Sequence, residues 1–337
     1  MRYLRTCIAL LAILLLAASC NKETSEQSAI EIKTGNTAAG ADPLKVVCTT
    51  GMIADIVENV GGGHVELYCM MGPGVDPHLY QATTGDVQAL ADADIVFYNG
   101  LHLEAKLGDL LVRLASQRPV IAVTENIREE DLLSPAEFEG LHDPHVWMDV
   151  SLWMNATNTV MEKLQELDPE RTMEYSDSGH SYIAELESTH KYLEELASGI
   201  PQENRILITA HDAFNYFGRA YGFEVRGLQG ISTQAEAGTA DVRELAEFIV
   251  DIKIPAIFVE SSVPQRNIEA VVAACASRGW EVAIGGELFS DAMGSAGTPE
   301  GTYIGMVRHN MLTIVNALDG IVERDVPLSD DPAWAQP

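Results

Sequence analysis

Basic residues are scarce in this 337-residue chain: 21 Lys and Arg stand against 50 Asp and Glu, a formal charge of −29. So acidic a surface repels phosphate backbones, which excludes a nucleic-acid binder. Long apolar runs are missing beyond the extreme N-terminus, which excludes a polytopic membrane protein. Cysteine is sparse as well, five residues without paired spacing, so no disulfide scaffold is expected. Several enzyme signatures are absent: Gly-x-Ser-x-Gly, the dinucleotide fingerprint and His-Glu-x-x-His. The Gly-rich stretch 294–301 lacks the ending of a P-loop and reads as a lid or turn. What is plentiful is apolar material, 47% against 21% charged, enough for two cores and too much for a disordered chain.

The N-terminus reads as a targeting segment. Arg2 and Arg5 precede an apolar stretch from Cys7 to Ala18, then small residues and Cys20, the layout of a secretory signal. Leu16-Ala17-Ala18-Ser19-Cys20 resembles a bacterial lipobox, whose cysteine is acylated and becomes the mature N-terminus. Cleavage nearby by the ordinary signal peptidase is the alternative. Residues 1–19 are thus a signal peptide and 20–42, rich in Ser, Thr, Ala, Gly and Glu, a lipid-anchored flexible tether with a reach of ~25 Å. The protein is expected outside the cytoplasm, lipid-anchored to the cell membrane or periplasmic. Residues 325–337 read as a flexible tail.

From Leu44 onward, short apolar strands alternate with helical segments, the pattern of parallel sheets built from βαβ units. Strands are expected at 44–49, 65–70, 95–99 and 120–124, and again at 206–209, 225–228, 256–259 and 282–284. Between the two series, Asp168-Pro169 starts and Gly199 stops a helix of about 30 residues, roughly 45 Å long. An alternative is two helices broken near Ser176–Gly179. The expected fold is α/β: lobes at 43–167 and 200–324, with mostly parallel sheets, joined by one long rigid helix at 168–199. Cys48 and Cys69 end two strands that could be neighbours, so a bridge is conceivable, although buried free thiols are the favoured reading.

Asp-Pro-His occurs twice, at Asp76–His78 and Asp143–His145. Proline fixes its own φ and pushes the preceding residue toward an extended conformation, so each histidine leaves a stiffened loop. His211 follows a strand of the second lobe, and Asp291 lies just after the last strand. Open α/β sheets bind ligands at the carboxyl ends of their strands. Three imidazoles and a carboxylate converging there make a credible four-ligand metal set. Taken singly, a strand-end histidine is more often a hydrogen-bonded loop residue. His102 and His142 are outside candidates; His64, His180, His190 and His309 read as solvated. Asp143 and Glu260 are placed to orient histidine rings.

Beyond these residues lie longer stretches: Gly72–Tyr80, Asn99–Glu104, Asp143–Asp149, His211–Phe217, Gly227–Ser232 and Gly286–Gly294. Through them the chain, from Leu44 to about Asn316, resembles the metal-binding lipoproteins of bacterial ABC importers. These are the cluster A-I solute-binding proteins of the TroA-like zinc/manganese type. The resemblance implies a metal between two α/β lobes on His78, His145, His211 and Asp291. It also implies a monomeric chain that delivers the ion to a membrane permease driven by a cytoplasmic ATPase. Some manganese-type relatives carry Glu where His211 stands, which puts this chain with the zinc or dual-metal branch. Many dedicated zinc importers insert a His-rich loop before the second ligand, whereas residues 125–142 here are short and carry only His142. Zn²⁺ and Mn²⁺ are both expected to bind, zinc more tightly. Two rivals stand beside transport: a surface adhesin with a structural metal, and a zinc hydrolase, for which four protein ligands leave no open position for water.

Overall fold

The computed structural model describes residues 30–32 and 42–318 apart from 137 and 139. The signal segment, Cys20, most of the expected tether and the tail lie outside the described residues. Ile30–Ile32 (β1), Leu44–Cys48 (β2), Val65–Cys69 (β3), Ile95–Tyr98 (β4) and Val120–Ala122 (β5) form one sheet in the order β1-β3-β2-β4-β5. Strands β2 to β5 run parallel, connected through α1 (Gly51–Gly61), α2 (Thr84–Asp92) and α3 (Gly108–Ala115). Within the stretch expected as a tether, β1 instead adds an antiparallel edge strand to β3. Ile-Glu-Ile sets a charge between two β-branched residues, which suits a strand at the edge of the described sheet. Cys48 and Cys69 face each other across the β2–β3 ladder as free, buried thiols. Because β2 lies between β3 and β4, the strand order reverses at the β2/β4 boundary, the usual ligand crevice of such a sheet.

Two helices follow, of which the sequence reading anticipated only the second. The first, α4 (Val150–Leu167), begins where Asp149 Oδ1 accepts from the Ser151 N–H at 2.9 Å, an N-cap. It buries Val150, Trp153, Val160 and Leu164. After a 3₁₀ turn at Pro169–Arg171 comes α5 (Thr172–Ser198), 27 unbroken residues, about 40 Å long. The interruption considered at Ser176–Gly179 does not occur. A Cβ at Gly179 would sit 2.5 Å from Met161 Sδ, so this glycine permits close helix packing rather than ending a helix.

The second lobe contains β6 (Ile206–His211), α6 (Asn215–Tyr221), β7 (Glu224–Gln229), α7 (Thr239–Ile252), β8 (Ala256–Glu260), α8 (Arg266–Ala276), β9 (Ala283–Leu288) and α9 (Tyr303–Ala317). It holds two parallel ladders, β6–β7 and β8–β9, with β6 lying beside β8. The layout β7-β6-β8-β9 repeats that of β3-β2-β4-β5, with its reversal between β6 and β8. Among the described residues, no helix is long and apolar enough to cross a membrane.

Helix α5 packs against α1, α4, α6 and α9. The largest core therefore runs through both lobes, from Ile53 past Trp153 and Leu186 to Phe217 and Met306. At about 1.5–3 kcal/mol per buried large side chain, that shared core holds the lobes together more than the connector alone does. Asp55 adds a polar tie: its Oδ1 accepts from the Tyr182 hydroxyl and its Oδ2 from the Tyr303 N–H at 3.1 Å, linking α1, α5 and α9. Burial pushes this carboxyl up to about 6, with the Tyr182 and Tyr303 bonds working against the rise. Above the ordinary Asp value, the folded chain thus keeps a proton that the unfolded chain has lost, and stability drains as pH rises through 6. Asp55→Asn, always neutral, gains stability relative to the parent between pH 4.5 and 7.5. Urea melts at the two pH values measure this, and a pH-independent difference would exclude the buried proton.

Candidate metal centre

Asp-Pro-His folds the same way twice. Asp76 Oδ1 accepts from the His78 N–H at 2.8 Å, and Asp143 Oδ1 from the His145 N–H at 3.0 Å. Proline supplies no N–H and a fixed φ, so the aspartate closes onto the residue two positions on. Asp143 Oδ1 also meets His145 Nδ1 at 2.7 Å, which leaves Nε2 turned inward.

The crevice at the β2/β4 boundary is plugged by protein. Glu104 Oε1 accepts from Thr49 Oγ1 and from the Asn99 N–H, both at 2.7 Å. Asn99 Nδ2 in turn donates to the Pro144 carbonyl at 3.0 Å, so the plug braces the His145 loop. Gly100, Leu101 and His102 all take left-handed backbone angles, curling Glu104 back under the strand ends. Burial raises the Glu104 carboxyl, opposed by these hydrogen bonds.

In the second lobe the equivalent boundary carries a histidine. His211 ends β6, and Glu260 ends β8 beside it. Glu260 Oε1 accepts the N–H groups of Ala210 at 2.7 Å and His211 at 2.9 Å, while Oε2 meets His211 Nδ1 at 2.6 Å. Across β6, Gly227 permits the close strand approach: a Cβ there would fall 2.5 Å from the Asp212 nitrogen. Asp291 follows β9 on a turn whose Ser290 carbonyl accepts from Trp147 Nε1 of the first lobe at 2.8 Å.

The structure brings His78, His145, His211 and Asp291 together, all four buried, with one donor atom from each inside a 4.8 Å span. His78 Nε2 lies 3.3 Å from His145 Nε2. The Asp291 oxygens lie 3.8, 3.5 and 3.2 Å from Nε2 of His78, His145 and His211. A tetrahedral ion with bonds of about 2.1 Å has ligand-to-ligand edges of about 3.4 Å, so these separations suit a single ion. Apart from the 3.2 Å approach of His211 Nε2 to Asp291, both Asp291 oxygens and His211 Nε2 are buried without a hydrogen-bonded partner. Orphaned polar atoms of that kind are costly unless something coordinates them. Burial pulls the Asp291 carboxyl up, but His211, His145 and His78 around it hold it below the ordinary range. His78 is pushed down to about 3, first by burial and then by its histidine neighbours, against the pull of Asp291. Burial would also lower His211, but Glu260 and Asp291 on either side drive it well above its ordinary value.

The remaining candidates lie elsewhere. His102 and His142 line a separate hollow of about 540 Å³ beside α3, and His142 Nδ1 bonds Ser134 Oγ at 2.9 Å. His190 is not merely solvated: its Nδ1 meets the Tyr221 hydroxyl at 3.1 Å. The 294–301 stretch forms a tight turn in which the Gly294 N–H donates to the Glu300 carbonyl at 2.8 Å. Sequence reasoning missed the residues that fasten ligand loops across the lobes, namely Trp147, Asn215, Tyr216 and Thr233. Asn215 and Tyr216 stand in a stretch already noted, but only contact reveals their task. Neutralising Glu260 as Gln removes the carboxylate that orients His211 and costs 10–100-fold in metal affinity, read by chelator competition. Unchanged affinity would show that Glu260 is only structural.

Residues 46–317 match the protein family described as zinc-uptake complex component A, periplasmic. The zinc-binding protein TroA of Treponema pallidum (strain Nichols) is 54% identical over 281 residues, 83% of this chain and 90% of that protein. The manganese-binding lipoprotein MntA of Bacillus subtilis (strain 168) is 46% identical over 275 residues, 82% of this chain and 90% of that one. The solved structure of the periplasmic zinc binding protein TroA from Treponema pallidum superposes with a TM-score of 0.80, covering 82% of this chain and 99% of that chain. On sequence and fold alike, the chain belongs to the zinc-uptake complex component A family of cluster A-I solute-binding proteins.

Proposed function

We propose that this chain is the extracytoplasmic solute-binding component of a divalent-metal ABC importer. It captures Zn²⁺ or Mn²⁺ between its lobes on His78, His145, His211 and Asp291, then hands the ion to a membrane permease driven by a cytoplasmic ATPase. Asp143 and Glu260 orient two of the histidines. The chain acts as a monomer, held to the membrane by a lipid on Cys20, with lobes 43–167 and 200–324 about the 168–199 helix.

One observation carries the reading: the buried oxygens of Asp291 face three imidazole nitrogens at single-ion spacing. Four protein donors complete a tetrahedron and leave no position for an activated water, which favours holding an ion over hydrolysis. The acidic surface raises the local cation concentration within the ~8 Å screening length of physiological salt. Three nitrogens and one oxygen place Zn²⁺ above Mn²⁺ in affinity.

The test is a competitive titration of the chelator-stripped mature protein with Zn²⁺ and Mn²⁺. One-to-one binding of both, zinc tighter, is the expected result. Binding no tighter than millimolar for either ion would overturn the carrier reading, and an adhesin would then be the reading to pursue.

A further inference from the structure

The two Asp-Pro-His turns each divide their carboxylate between two tasks. One oxygen holds the histidine of the same turn, and the other reaches the opposite lobe. Asp143 Oδ2 accepts from Asn215 Nδ2 at 3.0 Å, and Asp76 Oδ2 accepts from Thr233 Oγ1 at 2.6 Å. The two clasps differ in their surroundings. The Asn215 clasp lies beside buried Tyr216, whose hydroxyl donates to the Asp143 carbonyl at 2.9 Å within the shared core. Thr233 is buried, but it belongs to a mostly exposed loop, residues 230–238, between β7 and α7.

The histidines differ in the same sense. His145 and His211 are gripped on Nδ1 by Asp143 and Glu260, which fixes each ring. The carboxylate of Asp76 takes the main-chain N–H of His78, so this ring is positioned through its loop. Whatever secures that loop to the second lobe therefore secures the imidazole.

We infer that His78 is the ligand that lets go first, and that the Thr233–Asp76 clasp sets how fast the bound ion escapes. Thr233 is thus a positioning residue: it touches no ion and acts through the His78 turn. This rests on the carrier reading above. Breaking the clasp frees the turn to swing away with its ligand, which speeds dissociation. Association is governed by encounter with the ion and by ligand protonation, and changes little.

Stopped-flow measurements on the Zn²⁺-loaded protein test this, with excess chelator to read release and rapid mixing to read capture. Trp147, edge-on to His145 with ring centroids 5.2 Å apart, supplies the fluorescence signal. Thr233→Val, which removes only the hydroxyl donor, raises the release rate about tenfold, at the low end of what ligand-orienting contacts contribute, with capture within twofold of the parent. Thr233→Ser, which keeps the donor, restores the parental rate. Release within twofold of the parent for Thr233→Val overturns the inference, as does an equal change in capture and release that Ser does not rescue. If the parent and His211→Ala bind Zn²⁺ equally well, the carrier site itself fails, and the clasp falls with it for that separate reason.

Discussion

Replacing His211 with alanine weakens Zn²⁺ binding by up to about a thousandfold, while His309→Ala leaves it unchanged. The first expectation follows from the ligand count. Structural zinc sites bind with about 10–16 kcal/mol, so one of four ligands carries about 2.5–4 kcal/mol, worth roughly seventyfold to a thousandfold. Loss of the ring also strips Glu260 and Asp291 of a buried partner at 2.6 and 3.2 Å, which lowers the stability of the metal-free fold. His309 lies on α9, where its Nε2 meets the Glu287 carbonyl at 3.1 Å and its Nδ1 lies 3.5 Å from Glu300, outside the four-residue group. Competition against a chromophoric chelator reads both variants. Equal affinity of parent and His211→Ala would remove this residue from the site.

Metal affinity also falls about a hundredfold between pH 7.5 and 5.5, and the decline begins above the ordinary imidazole range. Burial lowers His211, but Glu260 and Asp291 on either side raise it well above its ordinary value, which favours a proton on the ring before an ion arrives. Nε2 must lose that proton before it can coordinate, so binding releases it, and affinity drops about tenfold per pH unit while it is held. His78 works in the other direction. Burial and its histidine neighbours lower it to about 3, so it stands neutral and ready across the whole range. The sequence alone suggests a midpoint near 6.5, the value of a free imidazole; the flanking carboxylates move the onset upward. Calorimetry at pH 7 in two buffers of different ionisation enthalpy reads net proton release on binding. No release, or affinity flat between pH 8 and 7, would show that His211 is neutral before the ion arrives.

Much of this site is legible in residues that interact within a few positions of each other. Asp-Pro-His builds its turn from one carboxylate, one proline and one amide, all inside three residues. Strand-end placement of His211 follows from alternating apolar runs, and the two-lobe pattern from the repetition of those runs. Helix α4 was not anticipated, because its apolar stripe runs on from the buried Val146–Met148 segment and its start shows only in the Asp149 cap of the folded chain. The expected single helix runs unbroken through Ser176–Gly179, where a local reading also allows an interruption. Glycine breaks helices locally, yet here it serves a neighbour, Met161 on α4.

Dihedral limits and side-chain periodicity act over short stretches of chain, so the α/β alternation, the paired turns and the chemical character of the candidate ligands are written in the local sequence. The spacing of the four expected ligands, the filling of one strand-end crevice by Glu104 while His211 occupies the other, and the clasp of Asp76 by Thr233 arise in the folded chain alone. Those outcomes depend on burial and on contacts between residues far apart in the chain. Burial lowers both His78 and His211, yet the two end on opposite sides of the ordinary imidazole range: at His211 the flanking Glu260 and Asp291 overcome it, whereas at His78 the pull of Asp291 is opposed by the neighbouring imidazoles.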